Sequence, residues 1–229
     1  MKVTALIPVK GFRNAKQRLS AFLGSAEREA LAEAMFRDVL RQALGACGLV
    51  ETVVVTGDDK VAAIAGSMGA RVLLERAETG ETAAVDFART NLKDTGCEAV
   101  LIIPGDLPLI RSSDIESVLA QVPEGQIAPF ALLVPSHDRL GTNALLLAPP
   151  DIIKLRFGYD SFKYHINQVS AQGLPLRYVE SEHIALDIDE PKDLENFLTY
   201  SSDDSEALKT LQRFIADRRS HSSRRVVEG

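Results

Sequence analysis

Four short, almost uninterrupted aliphatic runs constrain this chain more than any other feature. Residues 3–9, 52–56, 70–74 and 100–104 are built from Val, Ile, Leu, Ala, Thr and Pro, with Arg71 the single charge among them. Such continuous runs suit strands covered on both faces, as in a largely parallel sheet, better than strands with one wet face. Amphipathic helix patterns separate them. Residues 26–44 (AEREALAEAMFRDVLRQAL) put Ala30, Leu31, Ala34, Met35, Val39 and Leu40 on one side. Residues 58–68 and 82–93 are shorter candidates, with Gly69 and Gly96 as C-terminal stops. The alternation predicts βαβ units in an α/β fold with a single doubly wound, mostly parallel sheet. Ligands of such sheets sit at the carboxyl ends of the strands, so the loops after Val9, Thr56 and Pro104 should share one rim.

The second half is less regular. Residues 128–135 and 142–147 read as strands joined as a hairpin through 137–141, and Ser112–Leu119 reads as a helix. A helix is expected over 162–172, strands over 176–179 and 184–188, and a further helix from Pro191, whose fixed φ suits a first helical position. After Tyr200 the composition changes. Residues 201–205 read as a linker, 206–218 as one last amphipathic helix and 219–229 as a polar, basic, disordered end. Arg218, Arg219, Arg224 and Arg225 are read as a solvated tail. One domain over 1–200 with an appendage over 201–229 is the resulting organisation.

A formal net charge of −6 lacks the basic footprint of a nucleic-acid binder. No window reaches the 18 or more apolar residues of a membrane span, and the first apolar run is too short for a signal sequence. A cytoplasmic protein with no membrane partner is expected. Cys47 and Cys97 have neither CxxC spacing nor histidines nearby, and are read as reduced, partly buried thiols.

The loop after the first strand carries Lys10, Arg13, Lys16 and Arg18 around Gly11. It is neither a P-loop nor a dinucleotide fingerprint. A cation-rich loop at a strand end nevertheless suits a triphosphate, because cations neutralise a leaving pyrophosphate. Asp106, between Gly105 and Leu107 after a buried strand, is held at the same rim, where an unpaired carboxylate is costly and a metal is a natural partner. It could instead cap Ser112–Leu119, although Ser112 or Ser113 is better placed. Asp187 and Asp189, two apart on an extended segment, would share a face. They repel unless a hard divalent cation such as Mg²⁺ lies between them. The plainer role for Asp189 is a helix N-cap before Glu190 and Pro191. Segments 138–143 and 157–162 each offer a glycine beside a hydroxyl, an arrangement that can surround an oxyanion. Taken singly these are ordinary turn residues.

Together, IPVKGFRNAKQRL, PGDLPL, DRLGTNALLL, FGYDSFKYH and LDIDEPKDL resemble, in that order, the CofC/FbiD guanylyltransferases of coenzyme F-420 biosynthesis. The resemblance spans about residues 1–198 and finds no counterpart for the tail after Tyr200. It implies a nucleotide-diphospho-sugar transferase-like (MobA-like) fold over 1–200. It also implies transfer of GMP from GTP to phosphoenolpyruvate, 2-phospho-L-lactate or 3-phospho-D-glycerate, the first favoured. Asp106, Asp187 and Asp189 would hold one or two Mg²⁺. Thr142, Gly158 and Ser161 would bind the phospho-acid, and Lys10, Lys16 and Arg18 would meet the nucleotide phosphates. His165 is read as structural or as an accessory anion contact. The stretch Gly80-Glu81-Thr82-Ala83-Ala84 departs from a Gly-x-Asn-Ala-Ala pattern near the base, which loosens the assignment of GTP. Hand-over of a labile product to a downstream transferase follows from the chemistry, and a homodimer is left open. The alternatives are a molybdenum-cofactor or sugar-phosphate nucleotidyltransferase of the same fold, or a non-catalytic nucleotide-binding regulator.

Overall fold

The computed structural model describes residues 1–75, 80–122, 125, 129–200 and 205–227, with backbone alone over 219–227. The aliphatic runs become β1 (Val3–Pro8), β2 (Leu49–Thr56), β3 (Arg71–Leu74) and β4 (Ala99–Ile102), all mutually parallel where they pair. Helices α1 (Ser25–Gly45), α2 (Asp59–Met68) and α3 (Glu81–Asp94) alternate with them. After α4 (Ser112–Leu119), β5 (Phe130–Pro135) and β6 (Thr142–Ala148) form the expected hairpin. Residue 128, the expected start of that strand, lies outside the described residues. The six strands make one sheet in the order β3-β2-β1-β4-β6-β5. Only β6 runs against its neighbours, so its first residue, Thr142, lies at the rim reached by the carboxyl ends of β1 and β4.

Strand alternation explains the double winding. Ile7, Val54, Leu101, Val134 and Leu146 face α1 and the later helices, packing with Leu31, Met35 and Val39. Leu6, Val53, Val55, Ile102 and Leu145 face the other way, onto Val85, Ala88 and Leu92 of α3 and Phe162 and Val169 of α5 (Ser161–Ala171). Each strand is thus apolar on both faces, as the sequence required.

Three expectations change. Residues 176–179 form only an isolated bridge, in which Leu133 N–H donates to Arg177 O and Val179 N–H to Leu133 O. Residues 184–188 are not a strand. Ser181 Oγ accepts from Ile184 N–H and sets up the short helix α6 (Glu182–Ala185). The carbonyls of Ile184 and Ala185 are then taken by Asn143 Nδ2, leaving no ladder to join. At α4, Ser112 is the first helical residue rather than the cap. Its hydroxyl bonds Gln42, and Asp114 accepts the Arg111 N–H in its place.

After α7 (Pro191–Leu198) comes α8 (Glu206–Val227), which extends past the expected end at Arg218 into the stretch expected to be disordered. Residues 201–204 of the expected linker lie outside the described residues. Asp38 of α1 receives the start of α8, accepting from Ser205 Oγ and from the N–H groups of Glu206 and Ala207. Arg218 donates to Glu27 and to the Phe22 carbonyl. Cys47 is exposed rather than partly buried, Cys97 is half-buried, and both are free. Among the described residues no helix is long and apolar enough to cross a membrane.

Candidate active site

The carboxyl ends of β1, β2 and β4 open into a cleft of about 820 Å³, with Lys10, Arg13, Lys16, Glu81, Asp106 and Asp189 in its walls. Two glycines let the loops close on it. A Cβ at Gly11 would lie 2.5 Å from Asp58 Oδ2, and one at Gly105 would lie 2.9 Å from Val9 Cγ2. Asp58 is itself fixed by capping α2, where it accepts from Lys60 and Val61 N–H.

Lys16 is the centre of the cleft. Its φ of 54° and ψ of 43° are left-handed, an uncommon and strained state for a side chain of this size. The turn aims the ammonium inward. Nζ donates to Asp106 Oδ2 at 2.5 Å and to Asp189 Oδ1 at 2.9 Å, with the side chain only 7% exposed. Burial alone would lower the Lys16 pKa, but Asp106 and Asp189 outweigh it and raise it above the ordinary lysine value. The same two carboxylates also favour a proton on Glu81. Burial first, then Asp106, lift it to about 7 against the pull of Lys10. Glu81 was not singled out from the sequence, because nothing local places residue 81 beside residues 106 and 189.

Asp189 does not cap α7. Asp193 Oδ2 accepts the N–H groups of Asp189 and Glu190, which leaves the Asp189 side chain for Lys16. Burial would raise the Asp189 pKa, yet Lys16 brings it below the usual carboxylate value. Asp187 is bonded to Asn143 rather than to Lys16. Its Oδ1 accepts from Asn143 Nδ2 at 3.1 Å, while burial and then Asp106 push its carboxyl up to about 6. Asn143, within the GTNAL segment, is the second residue that sequence reasoning passed over. Arg18 lies outside the cleft walls, 70% exposed and paired with Glu190 at 3.4 Å.

Thr142 and Ser161 meet beside this cluster. Thr142 N–H donates to Ser161 Oγ at 3.0 Å, joining the start of β6 to the start of α5. Gly158, with φ of 99°, turns the loop before α5, and Asp160 at φ 56° completes the turn. Phe157 N–H donates to Thr82 Oγ1 at 3.0 Å, which ties this loop to the first turn of α3. Thr82 thus serves a structural bond in the stretch that departs from the Asn pattern.

As to a metal, hard carboxylate oxygens are the right donor class for Mg²⁺. Two of them, on Asp106 and Asp189, already share one cation in Lys16. The three acidic residues expected to form one site are arranged as this pair plus Asp187. Among the described residues no group of three or more His, Cys, Asp and Glu is arranged to hold a metal ion.

The doubly wound sheet has the fold of the nucleotide-diphospho-sugar transferase type. In solved structures the fold matches a Desulfovibrio desulfuricans G20 protein provisionally described as a nucleotide-diphospho-sugar transferase. The TM-score is 0.75 at 17% identity, over 94% of this chain and 96% of that one. The chain belongs to the family described as "Guanylyl transferase CofC like", whose model matches residues 3–228. That match includes the segment after Tyr200, for which the sequence motifs offered no counterpart. A phosphoenolpyruvate guanylyltransferase of Rubrobacter xylanophilus is 38% identical over 194 residues, covering 85% of this chain and 92% of the relative. A 2-phospho-L-lactate guanylyltransferase of Methanothermobacter thermautotrophicus is 33% identical over 194 residues, covering 85% and 83%.

Proposed function

We propose that this chain is a Mg²⁺-dependent guanylyltransferase of coenzyme F-420 biosynthesis, transferring GMP from GTP to a phosphorylated three-carbon acid. Phosphoenolpyruvate is favoured as acceptor over 2-phospho-L-lactate and 3-phospho-D-glycerate. The observation that carries this reading is the adjacency of two unlike subsites: a cation-lined cleft around Lys16, and the Thr142–Ser161 junction at the next strand end. The name of the Rubrobacter relative supports phosphoenolpyruvate.

In the proposed reaction a phosphate oxygen of the acid forms a new bond to the α-phosphorus of GTP. The bond from that phosphorus to the bridging β-oxygen breaks, and pyrophosphate leaves with the electron pair. The attacking oxygen is already anionic, so no strong general base is needed. Lys10 and Lys16 then act by opposing charge that grows on the leaving group. Thr142, Gly158 and Ser161 orient the acid, and orientation alone contributes a large share of the acceleration in such displacements. Asp106 and Asp189, which share Lys16, would have to converge with Asp187 to hold Mg²⁺, which when bound would supply charge neutralisation for the triphosphate. Arg18 is assigned to the outer edge of the phosphate site. The product is a reactive diphosphate-linked adduct, which favours hand-over to a downstream transferase in the cytoplasm.

The test is pyrophosphate release with GTP, Mg²⁺ and each of the three acids, with ATP and CTP as controls. The downstream transferase and its acceptor are included in parallel to remove a labile product. Release with GTP and phosphoenolpyruvate is expected. Silence with every acid from a folded protein would favour a nucleotide-binding regulator instead.

A further inference from the structure

His165 is fully buried on α5, and the reaction outlined above gives it no task. Its two ring nitrogens are nevertheless both engaged. Nε2 lies 3.2 Å from the backbone N–H of Arg156, which can only donate, so Nε2 carries no proton. In a neutral ring the proton then resides on Nδ1, 2.9 Å from Thr142 Oγ1. Thr142 therefore accepts from the imidazole, and its own hydroxyl proton must go to another acceptor. Ser161 is in the same position, since its Oγ already accepts the Thr142 N–H at 3.0 Å.

One ring thus joins the three pieces that carry the acceptor contacts. It touches the start of β6 through Thr142 and the loop before Gly158 through Arg156, and it belongs to the helix that begins at Ser161. Its edge-to-face contact with Phe157, at 5.4 Å between centroids, braces that loop further. We propose that His165 is a positioning residue for the acceptor: its Nδ1–H occupies Thr142 Oγ1, so that the hydroxyl protons of Thr142 and Ser161, both residues almost wholly buried, are left for an oxygen anion of the acid. Such a subsite favours a carboxylate or phosphate oxygen, whose charge strengthens both hydrogen bonds. Burial, then Arg156 and Arg89, hold the His165 pKa down to about 4, which keeps the ring in the neutral form this arrangement needs.

The inference rests on Thr142 and Ser161 being acceptor contacts, and the test separates the two claims. KM for phosphoenolpyruvate and KM for GTP are measured, with Mg²⁺, for wild type and for Thr142→Val, His165→Asn, His165→Gln, His165→Phe and the Thr142→Val/His165→Phe double variant. A side-chain amide of Asn reaches where Nδ1 stands, and that of Gln where Nε2 stands. Thr142→Val, His165→Gln and His165→Phe should each raise KM for phosphoenolpyruvate about tenfold, the weight of one hydrogen bond to a charged group, with KM for GTP unchanged. His165→Asn should recover most of the lost affinity, and His165→Phe should cost less once Thr142 is Val than it does alone. No effect from Thr142→Val would sink the acceptor assignment. An effect from Thr142→Val but none from His165→Gln or His165→Phe, or effects that multiply in the double variant, would overturn the positioning role alone. A readout independent of turnover and of any variant is the long-range ¹H–¹⁵N spectrum of the wild-type protein, legible because the chain has four histidines. A proton on Nδ1 of His165 is expected, and one on Nε2 would overturn the inference.

Discussion

Glu81 and Lys16 share the cleft, and both are moved from their ordinary protonation behaviour by the same pair of aspartates. For Glu81, burial and then Asp106 raise the pKa from 4.5 to about 7. Between those values the folded protein keeps a proton that the unfolded chain has lost. Stability therefore falls as pH rises through this window, and the cost is complete above it. Glu81→Gln removes that cost. At pH 8 without nucleotide it should stabilise the protein by about 1–3 kcal/mol, at about 1.4 kcal/mol per unit of pKa shift, and do almost nothing at pH 4. Urea midpoints at the two pH values check this, and an equal shift at both would contradict it. Lys16 has the reverse role, being the cation that makes Asp106 and Asp189 tolerable neighbours. Lys16→Met should lower kcat by about 10²–10³, the range seen when one preorganised charge donor is removed. Steady-state kinetics with kcat near wild type would show that the ammonium is structural only.

At the scale of elements, α8 depends on a carboxylate supplied by another helix. Asp38, almost wholly buried in α1, accepts three hydrogen bonds from residues 205–207 at the start of α8. Asp38→Ala should cost about 1–2 kcal/mol, as for loss of a helix cap. The cost should appear as faster amide exchange over 206–211, with KM for GTP unchanged. Protection equal to wild type there would mean that Leu208 and Leu211 hold α8 without the cap. Strands β1 to β4 and helices α1 to α3 were legible from sequence because their apolar periods are long and agree with their neighbours. Residues 184–188 misled because a short aliphatic run suits a strand until Ser181 and Asn143 take its backbone groups. The site divides along the same line. Lys10, Lys16 and Asp106 were readable as candidates from their places after strands, whereas Asp189 was reached through a segment read as a strand, which it is not. Arg18 was grouped with them, but the left-handed turn at Lys16 and the 3-10 turn after it send the two side chains apart. Glu81 and Asn143 gain their partners only through tertiary convergence, which no local pattern encodes.

Over the whole molecule the net charge is −6, yet the proposed substrates are polyanions. The long-range field therefore opposes their approach, and binding must come from the local cations at the rim. Those cations converge with the acidic pair where β1 and β4 end, the position that a doubly wound sheet reserves for its ligand. The proposed function puts the chemistry at the carboxylates bridged by Lys16. Asp106→Asn tests it with little change of shape, since Lys16 keeps Asp189 as a partner. The measurement is pyrophosphate formation from GTP, Mg²⁺ and phosphoenolpyruvate, with the melting temperature as the control for folding. Turnover should fall at least about a hundredfold, with melting within a few degrees of wild type. Undiminished turnover in the folded variant would contradict that placement and move the catalytic centre elsewhere.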